Sequence, residues 1–224
     1  MSRGLLICAH GTDDAAGQAV VASLTAQVAD LLPGVDVRAA YVDVQEPTLP
    51  TAVEEAAGRH HSVVVVPLLL SYGYHVAVDV RKAVEPHPHV IARGQLGPHP
   101  LLVDVLHDRL LEAGVAPERP VVVGVAGSSR AAAAQDAEKT RRMLADRWDG
   151  PVRVGYLSAM APTVPEVLAE MPDAAIATYL VGPGFFQRKL QRAGAHAVSA
   201  PLGDDPRLAQ LLAAGYAGQR PESR

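Results

Sequence analysis

Two histidines follow long apolar runs, at positions where open α/β proteins keep their chemistry. His10 comes directly after the run LLICA, and His75 follows the run VVVVPLLL that begins at Val63. Continuous apolar runs of this length are typical of strands buried on both faces of a parallel sheet. Ligands of such sheets bind outside the carboxyl ends of the strands. If the first and third strands are neighbours, the two imidazoles are predicted to converge at one sheet edge.

Two imidazoles without a thiolate would make an open metal site. Neutral imidazole binds Fe(II), Co(II) and Ni(II), and it also accepts protons near neutral pH. A structural metal would require four protein ligands, so a pair is better suited to a labile metal that is handed on. Asp79, one helical turn beyond His75, could orient that imidazole or take a proton. Glu46, after the second predicted strand at the same sheet edge, is a further acid–base candidate.

Each of these residues also has an interpretation without chemistry. A histidine at the end of a strand can be a hydrogen-bonded polar residue. Asp79 and Glu46 can be acids that the helix dipole favours near the start of a helix. These structural interpretations stay open beside the metal-site hypothesis.

The second half of the chain repeats the pattern of the first. The motif PTLP at Pro47 recurs as PTVP at Pro162, an offset of 115 residues, and the turn at Gly11 recurs at Gly127, an offset of 116. Alternating strands and helices predict an α/β fold with parallel sheets and right-handed crossovers. The predicted strands are residues 5–9, 35–41, 63–70, 90–92, 121–125, 152–156, 174–181 and 197–199.

Internal duplication therefore predicts two similar lobes, residues 1–116 and 117–224, each with a parallel sheet flanked by helices. The lobes share a frame but not their chemistry, because the second has alanine and phenylalanine at the positions of His10 and His75. The first lobe is predicted to carry the metal and catalytic residues, and the second to lack them. An internal duplication can replace a homodimer of single lobes, so a monomer is compatible with the sequence.

Further candidates for substrate contact lie beside His75 and in the second half of the chain. Tyr74 precedes His75, and Gly184, Phe185 and Arg188 follow the predicted strand 174–181. The aromatic side chains could instead belong to the core. The basic cluster that begins at Arg188 could be a solvated helix face, or it could meet the carboxylates of an acidic ligand.

Composition excludes several classes of partner. The chain has 224 residues and a formal net charge of −4 without a basic tail, so a nucleic-acid surface is not expected. The longest apolar runs are too short to span a bilayer, so no membrane segment is predicted. The single cysteine, Cys8, excludes an internal disulfide framework and fits a reducing compartment such as the cytoplasm. It lies inside the first predicted strand, where we expect a buried and inert thiol.

The motifs LLICAHGT, EPTLPTAV, VVVVPLLLSYGYHVAVDV and LGPHPLLVDVLHDRL resemble the sirohydrochlorin chelatases, the cobalt- or iron-inserting class II chelatases related to ferrochelatase. AGSSR, APTVPE and YLVGPGFFQRKLQRAGAHAVSAPLG in the second half are similar to the long, two-lobed form of that family. One departure is Thr12-Asp13-Asp14, where the family usually has Ser-Arg-Asp.

This resemblance implies insertion of a divalent metal, Fe2+ or Co2+, into sirohydrochlorin during sirohaem or cobalamin biosynthesis. The metal (Fe2+, Co2+ or Ni2+) would be a substrate, and no organic cofactor is implied. The family's two metal-binding and catalytic histidines fall on His10 and His75.

Two other functions are compatible with parts of the sequence. A non-catalytic carrier of a tetrapyrrole or a metal would bind its ligand without changing the rate of metallation. A histidine-type phosphatase is suggested by Ala9-His10-Gly11, but those enzymes have an arginine beside the histidine to hold phosphate, and Ala9 supplies none.

Overall fold

The computed structural model describes residues 2–71, 74–128 and 130–218, and for residues 74–77 it describes the backbone alone. The first half of the chain contains β1 (Arg3–Ala9), α1 (Ala15–Leu31), β2 (Val35–Tyr41), α2 (Leu49–Arg59), β3 (Ser62–Pro67), α3 (Tyr74–Val84), β4 (Val90–Ala92) and α4 (Pro100–Glu112). The second half contains β5 (Val121–Val125), α5 (Ala131–Ala145), β6 (Val152–Tyr156), α6 (Val164–Glu170), β7 (Ala175–Tyr179), α7 (Phe185–Gln191) and α8 (Pro206–Ala217). None of the helices in these ranges is both long and apolar enough to cross a membrane.

Both sheets are parallel. The first has the strand order β2-β1-β3-β4, and the second has the order β6-β5-β7. β1 and β3 are hydrogen-bonded neighbours, with Leu6 opposite Val65. The predicted α/β class, the parallel sheets and the adjacency of the first and third strands are therefore confirmed.

Apolar side chains of strands and flanking helices form a separate core in each half. In the first, Leu6, Val53 and Val65 belong to one cluster and are at most 2% exposed. In the second, Val122 and Leu190 are fully buried in another. Full burial of one such side chain contributes about 1.5–3 kcal/mol relative to exposure, so each core can support its own sheet.

The duplication extends to the turns. The loop after β2 places Val44 at a φ of 67°, and the loop after β6 places Ala159 at a φ of 59°, an offset of 115 residues. The helices that follow are capped alike, because the side chains of Thr48 and Thr163 each accept a hydrogen bond from a backbone N–H of the first turn. A positive φ is uncommon for a residue with a side chain, so its recurrence at matched positions supports a common origin of the halves.

The last helix of each repeat packs with the other repeat. α4 packs against α5 and β7, whereas α8 packs against α1 and β3. One compact unit accordingly contains the chain up to Leu69, the stretch ending at Leu96 and the chain from Asp204 onward, and the other is mainly Gly97–Gly203. The compact units thus differ from the repeats at 1–116 and 117–224, because α4 and α8 are exchanged.

Four predicted elements are shorter than expected, and one of them is the strand predicted at 174–181, which is observed as Ala175–Tyr179. The strand predicted at 63–70 ends at Pro67, where the chain leaves the sheet. The strand predicted at 197–199 is reduced to one bridge between Val198 and Ile176. The helix predicted to run through Trp148 ends at Ala145, and the buried indole instead donates a hydrogen bond to the Arg119 carbonyl at 2.8 Å.

Candidate functional site

The turn that carries His10 is fixed to the neighbouring strand-end loop. The His10 side chain is exposed at the carboxyl end of β1. The backbone carbonyl of His10 accepts a hydrogen bond from the backbone N–H of Asp43 at 2.9 Å. Gly11 follows with a φ of +100°, and a Cβ there would lie 1.9 Å from the Asp43 carbonyl oxygen. Only glycine allows the two loops to approach this closely, so the backbone at His10 is held in one place.

Side chains hold the other flank of the same turn. The Gln45 side-chain oxygen accepts a hydrogen bond from the Thr12 N–H at 3.0 Å, and the Thr12 hydroxyl accepts one from the Asp14 N–H at 3.1 Å. Asp14 in turn caps α1 by accepting from the backbone N–H groups of Ala16 and Gly17. Sequence reasoning missed Gln45, because a glutamine in a loop carries no pattern that marks its partner.

The first turn of α3 contains Tyr74 and His75, and the helix follows β3, the strand next to β1. Their side chains lie outside the described part of the structure, so the convergence of the His75 and His10 imidazoles stays a prediction. Asp79, further along α3, is exposed. Burial, together with the negative charge of Asp79, raises the pKa of the Cys8 thiol to about 12.

Cys8 is fully buried, and its raised pKa keeps the thiol protonated at neutral pH. The predicted burial of Cys8 is confirmed, and because the thiolate is the reactive form of cysteine, the raised pKa agrees with an inert thiol, which stays a prediction.

Glu46 has a structural partner at the start of α2. Its carboxylate accepts a hydrogen bond from the Thr48 N–H at 2.8 Å, and Thr48 is the N-cap of that helix. This contact agrees with the interpretation of Glu46 as a residue that stabilises a helix start. A role in proton transfer stays a prediction.

The second repeat builds the same strand-end turn without the imidazole. The Ala126 carbonyl accepts hydrogen bonds from the Ser158 N–H at 3.0 Å and from the Ser158 hydroxyl at 2.8 Å. Gly127 has a φ of +89°, and a Cβ there would lie 2.1 Å from the Ser158 carbonyl oxygen. Since this turn forms equally well around alanine, the fold does not require a histidine at position 10.

The candidates of the second repeat surround a cavity of about 430 Å³ at the carboxyl end of β6, between α6 and α7. Gly184 is the N-cap of α7, and Phe185 and Arg188 line the cavity. Phe185 is 69% exposed, whereas Phe186 packs against the core. The core interpretation thus holds for Phe186 and not for Phe185.

Several other histidines have structural partners. His60 lies 3.0 Å from the Asp36 carboxylate, His89 contacts the Ala57 carbonyl, and His99 caps α4. Among the side chains that the structure describes, no group of three or more histidine, cysteine, aspartate or glutamate residues is arranged to hold a metal ion.

The family model for CbiX matches residues 4–113 and again residues 120–218. The chain belongs to the CbiX family. Each repeat thus matches the same model, which agrees with the duplication found in the sequence and in the turns. The predicted resemblance to the chelatases of this family is confirmed. No curated protein matches the chain.

Solved structures share the two-lobed α/β architecture of this CbiX protein. SirB from Bacillus subtilis with Fe3+ is 20% identical with a TM-score of 0.82, over 97% of this chain and 95% of that chain. The sirohydrochlorin chelatase SirB from Bacillus subtilis subspecies spizizenii in complex with cobalt is 18% identical with a TM-score of 0.80, over 96% and 94%. CbiX described as the terminal enzyme of sirohaem biosynthesis in denitrifying bacteria is 21% identical with a TM-score of 0.72, over 96% and 99%. At these identities the matches confirm the fold.

Proposed function

We propose that this CbiX protein is a chelatase that inserts a divalent metal, Fe2+ or Co2+, into sirohydrochlorin in the synthesis of sirohaem or cobalamin. The observation that carries the proposal is the family match over both repeats, combined with a histidine that only the first repeat has at the strand-end turn. Structures of SirB, which carry iron or cobalt, support a metal substrate of this kind.

His10 and His75 are the proposed ligands of the incoming metal. In this scheme the two imidazoles present the metal to one face of the macrocycle, and one or both accept the pyrrole protons as nitrogen–metal bonds form. Two protons leave as one divalent ion enters, so the metallated ring keeps its overall charge. The exposed position of His10 gives the ligand access to the imidazole.

The direct test is incubation of the protein with sirohydrochlorin and Fe2+, Co2+ or Ni2+ in turn, with metallation followed by absorbance. His10→Ala and His75→Ala are each expected to lower the rate at least about 100-fold, since positioned acid–base groups commonly contribute that much. His61→Ala is a matched control, because His61 is exposed at the opposite end of β3, just before Ser62. Wild-type rates in both the His10 and His75 variants would refute the assignment.

A carrier of a tetrapyrrole or a metal gives a different outcome in the same assay. The protein would then bind sirohydrochlorin tightly while metallation proceeds at the rate of the uncatalysed reaction.

A further inference from the structure

The cavity beside α7 combines an apolar floor with a basic rim. Tyr156 and Leu157 at the end of β6, and Val164 at the start of α6, are at most 7% exposed and form the floor. Phe185 stands exposed at the rim. The volume of about 430 Å³ lies in the lower part of the range for small-molecule sites. A cavity of this kind fits part of an amphipathic ligand.

The charge of the lining is one-sided. Three of the residues that line the cavity are basic (Arg188, Lys189 and Arg192), and none is acidic. This local excess of positive charge occurs in a chain whose formal net charge is −4. Such a surface favours an anion over a cation or a neutral ligand.

The basic groups retain capacity to bind a ligand. The Lys189 ammonium donates to the Leu157 carbonyl at the floor, which fixes the side chain over the cavity. An ammonium group has three N–H donors, so two remain for a ligand. Within the described residues, neither Lys189 nor Arg192 forms an ion pair with a carboxylate.

The basic rim differs between the repeats at two of its three positions. At an offset of 111 residues, Lys189 corresponds to Val78 and Arg188 to Ala77, while Arg192 corresponds to another arginine, Arg81. Lys82 corresponds to Ala193, so the helix of the second repeat has three basic residues where that of the first has two, and Arg188 and Lys189 are basic in the second repeat alone.

We propose that this cavity binds a carboxylate arm of the tetrapyrrole substrate, with Lys189 and Arg192 contacting the carboxylate and Phe185 contacting the apolar edge of the ring. The inference rests on the proposed function, since sirohydrochlorin carries acetate and propionate arms around a flat ring. Charge-assisted hydrogen bonds from lysine and arginine are the contacts that such arms require. Both residues position the substrate and take no part in proton transfer.

The test measures binding separately from metallation. Metal-free sirohydrochlorin and uroporphyrin I, an octacarboxylate porphyrin, are titrated by absorbance against the wild type, Lys189→Gln, Arg192→Gln and the double variant. Each single change is expected to weaken binding about fivefold and the double change about 20-fold. Mesoporphyrin, with only two carboxylates, should lose far less. Lys139→Gln is the matched control, because Lys139 is exposed on α5 in the same unit and does not line the cavity.

The outcomes separate the inference from the proposed function. Unchanged uroporphyrin affinity in the double variant, an equal loss in Lys139→Gln, or no binding by the wild type would each overturn the inference. A protein that binds both porphyrins as expected but metallates nothing would refute the chelatase proposal and leave the carboxylate site standing. In a functional chelatase the double variant should raise KM for sirohydrochlorin and leave kcat near the wild-type value.

Discussion

Replacing Gly11 by alanine should lower the free energy of unfolding more than the same replacement in a turn with open space around the glycine. A left-handed backbone costs a residue with a Cβ about 1–2 kcal/mol, and Gly11 has a φ of +100°. The new methyl group would also lie 1.9 Å from the Asp43 carbonyl oxygen, which is far inside contact distance. Relieving that overlap adds about 1–3 kcal/mol, for a total of about 3 kcal/mol.

Gly34 is the matched control for backbone strain. Its φ is +84°, and a Cβ there would meet nothing within 4 Å. Gly34→Ala should therefore cost only the strain, about 1 kcal/mol. In a protein of this size 1 kcal/mol shifts the Tm by about 2–4 °C, so the difference of about 2 kcal/mol should make Gly11→Ala melt about 4–8 °C below Gly34→Ala in a thermal scan.

Gly127→Ala separates stability from activity. Its Cβ would lie 2.1 Å from the Ser158 carbonyl oxygen, so the expected loss of stability is similar to that of Gly11→Ala. Gly11→Ala also displaces the turn that carries His10, and displacement of a catalytic group by about 1 Å can lower a rate about 100-fold. Metallation assayed below both melting temperatures should fall at least about tenfold in Gly11→Ala and remain within about threefold of the wild type in Gly127→Ala.

Equal melting temperatures for the Gly11→Ala and Gly34→Ala variants would refute the expected stability difference between these two positions.

Three further predictions test the packing and the ionisable groups. Truncating Leu212 to alanine in α8 should lower the free energy of unfolding by about 2–5 kcal/mol, because this side chain is fully buried. α8 belongs to the second repeat but packs against α1 and β3 of the first. Amide hydrogen exchange should therefore become faster in α1 and β3 and not in β5. Cys8 should resist a thiol reagent at pH 8 in the native protein and react after unfolding, because its pKa of about 12 keeps it protonated and burial denies access; reaction at the rate of a free thiol would contradict this. Hydrogen bonds from Arg141 lower the pKa of Glu138 to about 2, so its stabilisation is present above the ordinary pKa of about 4.5 and lost as the pH falls toward 2. Because Glu138 is 41% exposed, we expect Glu138→Gln to lower the free energy of unfolding by less than about 1 kcal/mol at pH 7, measured by urea denaturation. The difference from the wild type should be smaller at pH 3. The same difference at both pH values would contradict the assignment.

The strands were predictable from sequence because they are buried apolar runs. β5 and β6 have the predicted bounds, and β1 begins two residues earlier than predicted. The end of β3 is not readable from sequence because LLL after Pro67 continues the apolar run, and composition alone does not distinguish a strand from the partly buried loop that follows it. A pattern of apolar residues indicates that a segment is buried more reliably than it indicates that the segment is hydrogen-bonded as a strand.

The exchange of α4 and α8 was not predictable. Each helix shows an apolar face, and such a face indicates burial without indicating which sheet covers it. Both helices begin at a proline after a polar N-cap, His99 or Asp205, so their local signals are alike. The partner of each is decided by contacts distant in sequence.

The candidate site was predictable in part. The strand order and the position of His10 follow from the βαβ pattern, whereas the hydrogen bond from Thr12 to Gln45 and the cavity depend on loop geometry. Lys189 and Arg192 belong to the basic cluster that follows the Gly-Pro-Gly turn, but the sequence pattern does not distinguish a solvated helix face from the rim of a cavity.

The crossing of α4 and α8 also constrains how this protein could evolve. A break at the midpoint of the chain would leave each half holding a helix that packs on the other half's elements, and each sheet would lose one of its covering helices. Fusion of two ancestral copies followed by this crossing would be hard to reverse. Once the copies are bound together in this way, natural selection acts on them as a single unit. One copy can then lose its imidazole and change the charges on its equivalent helix while the other keeps its imidazole.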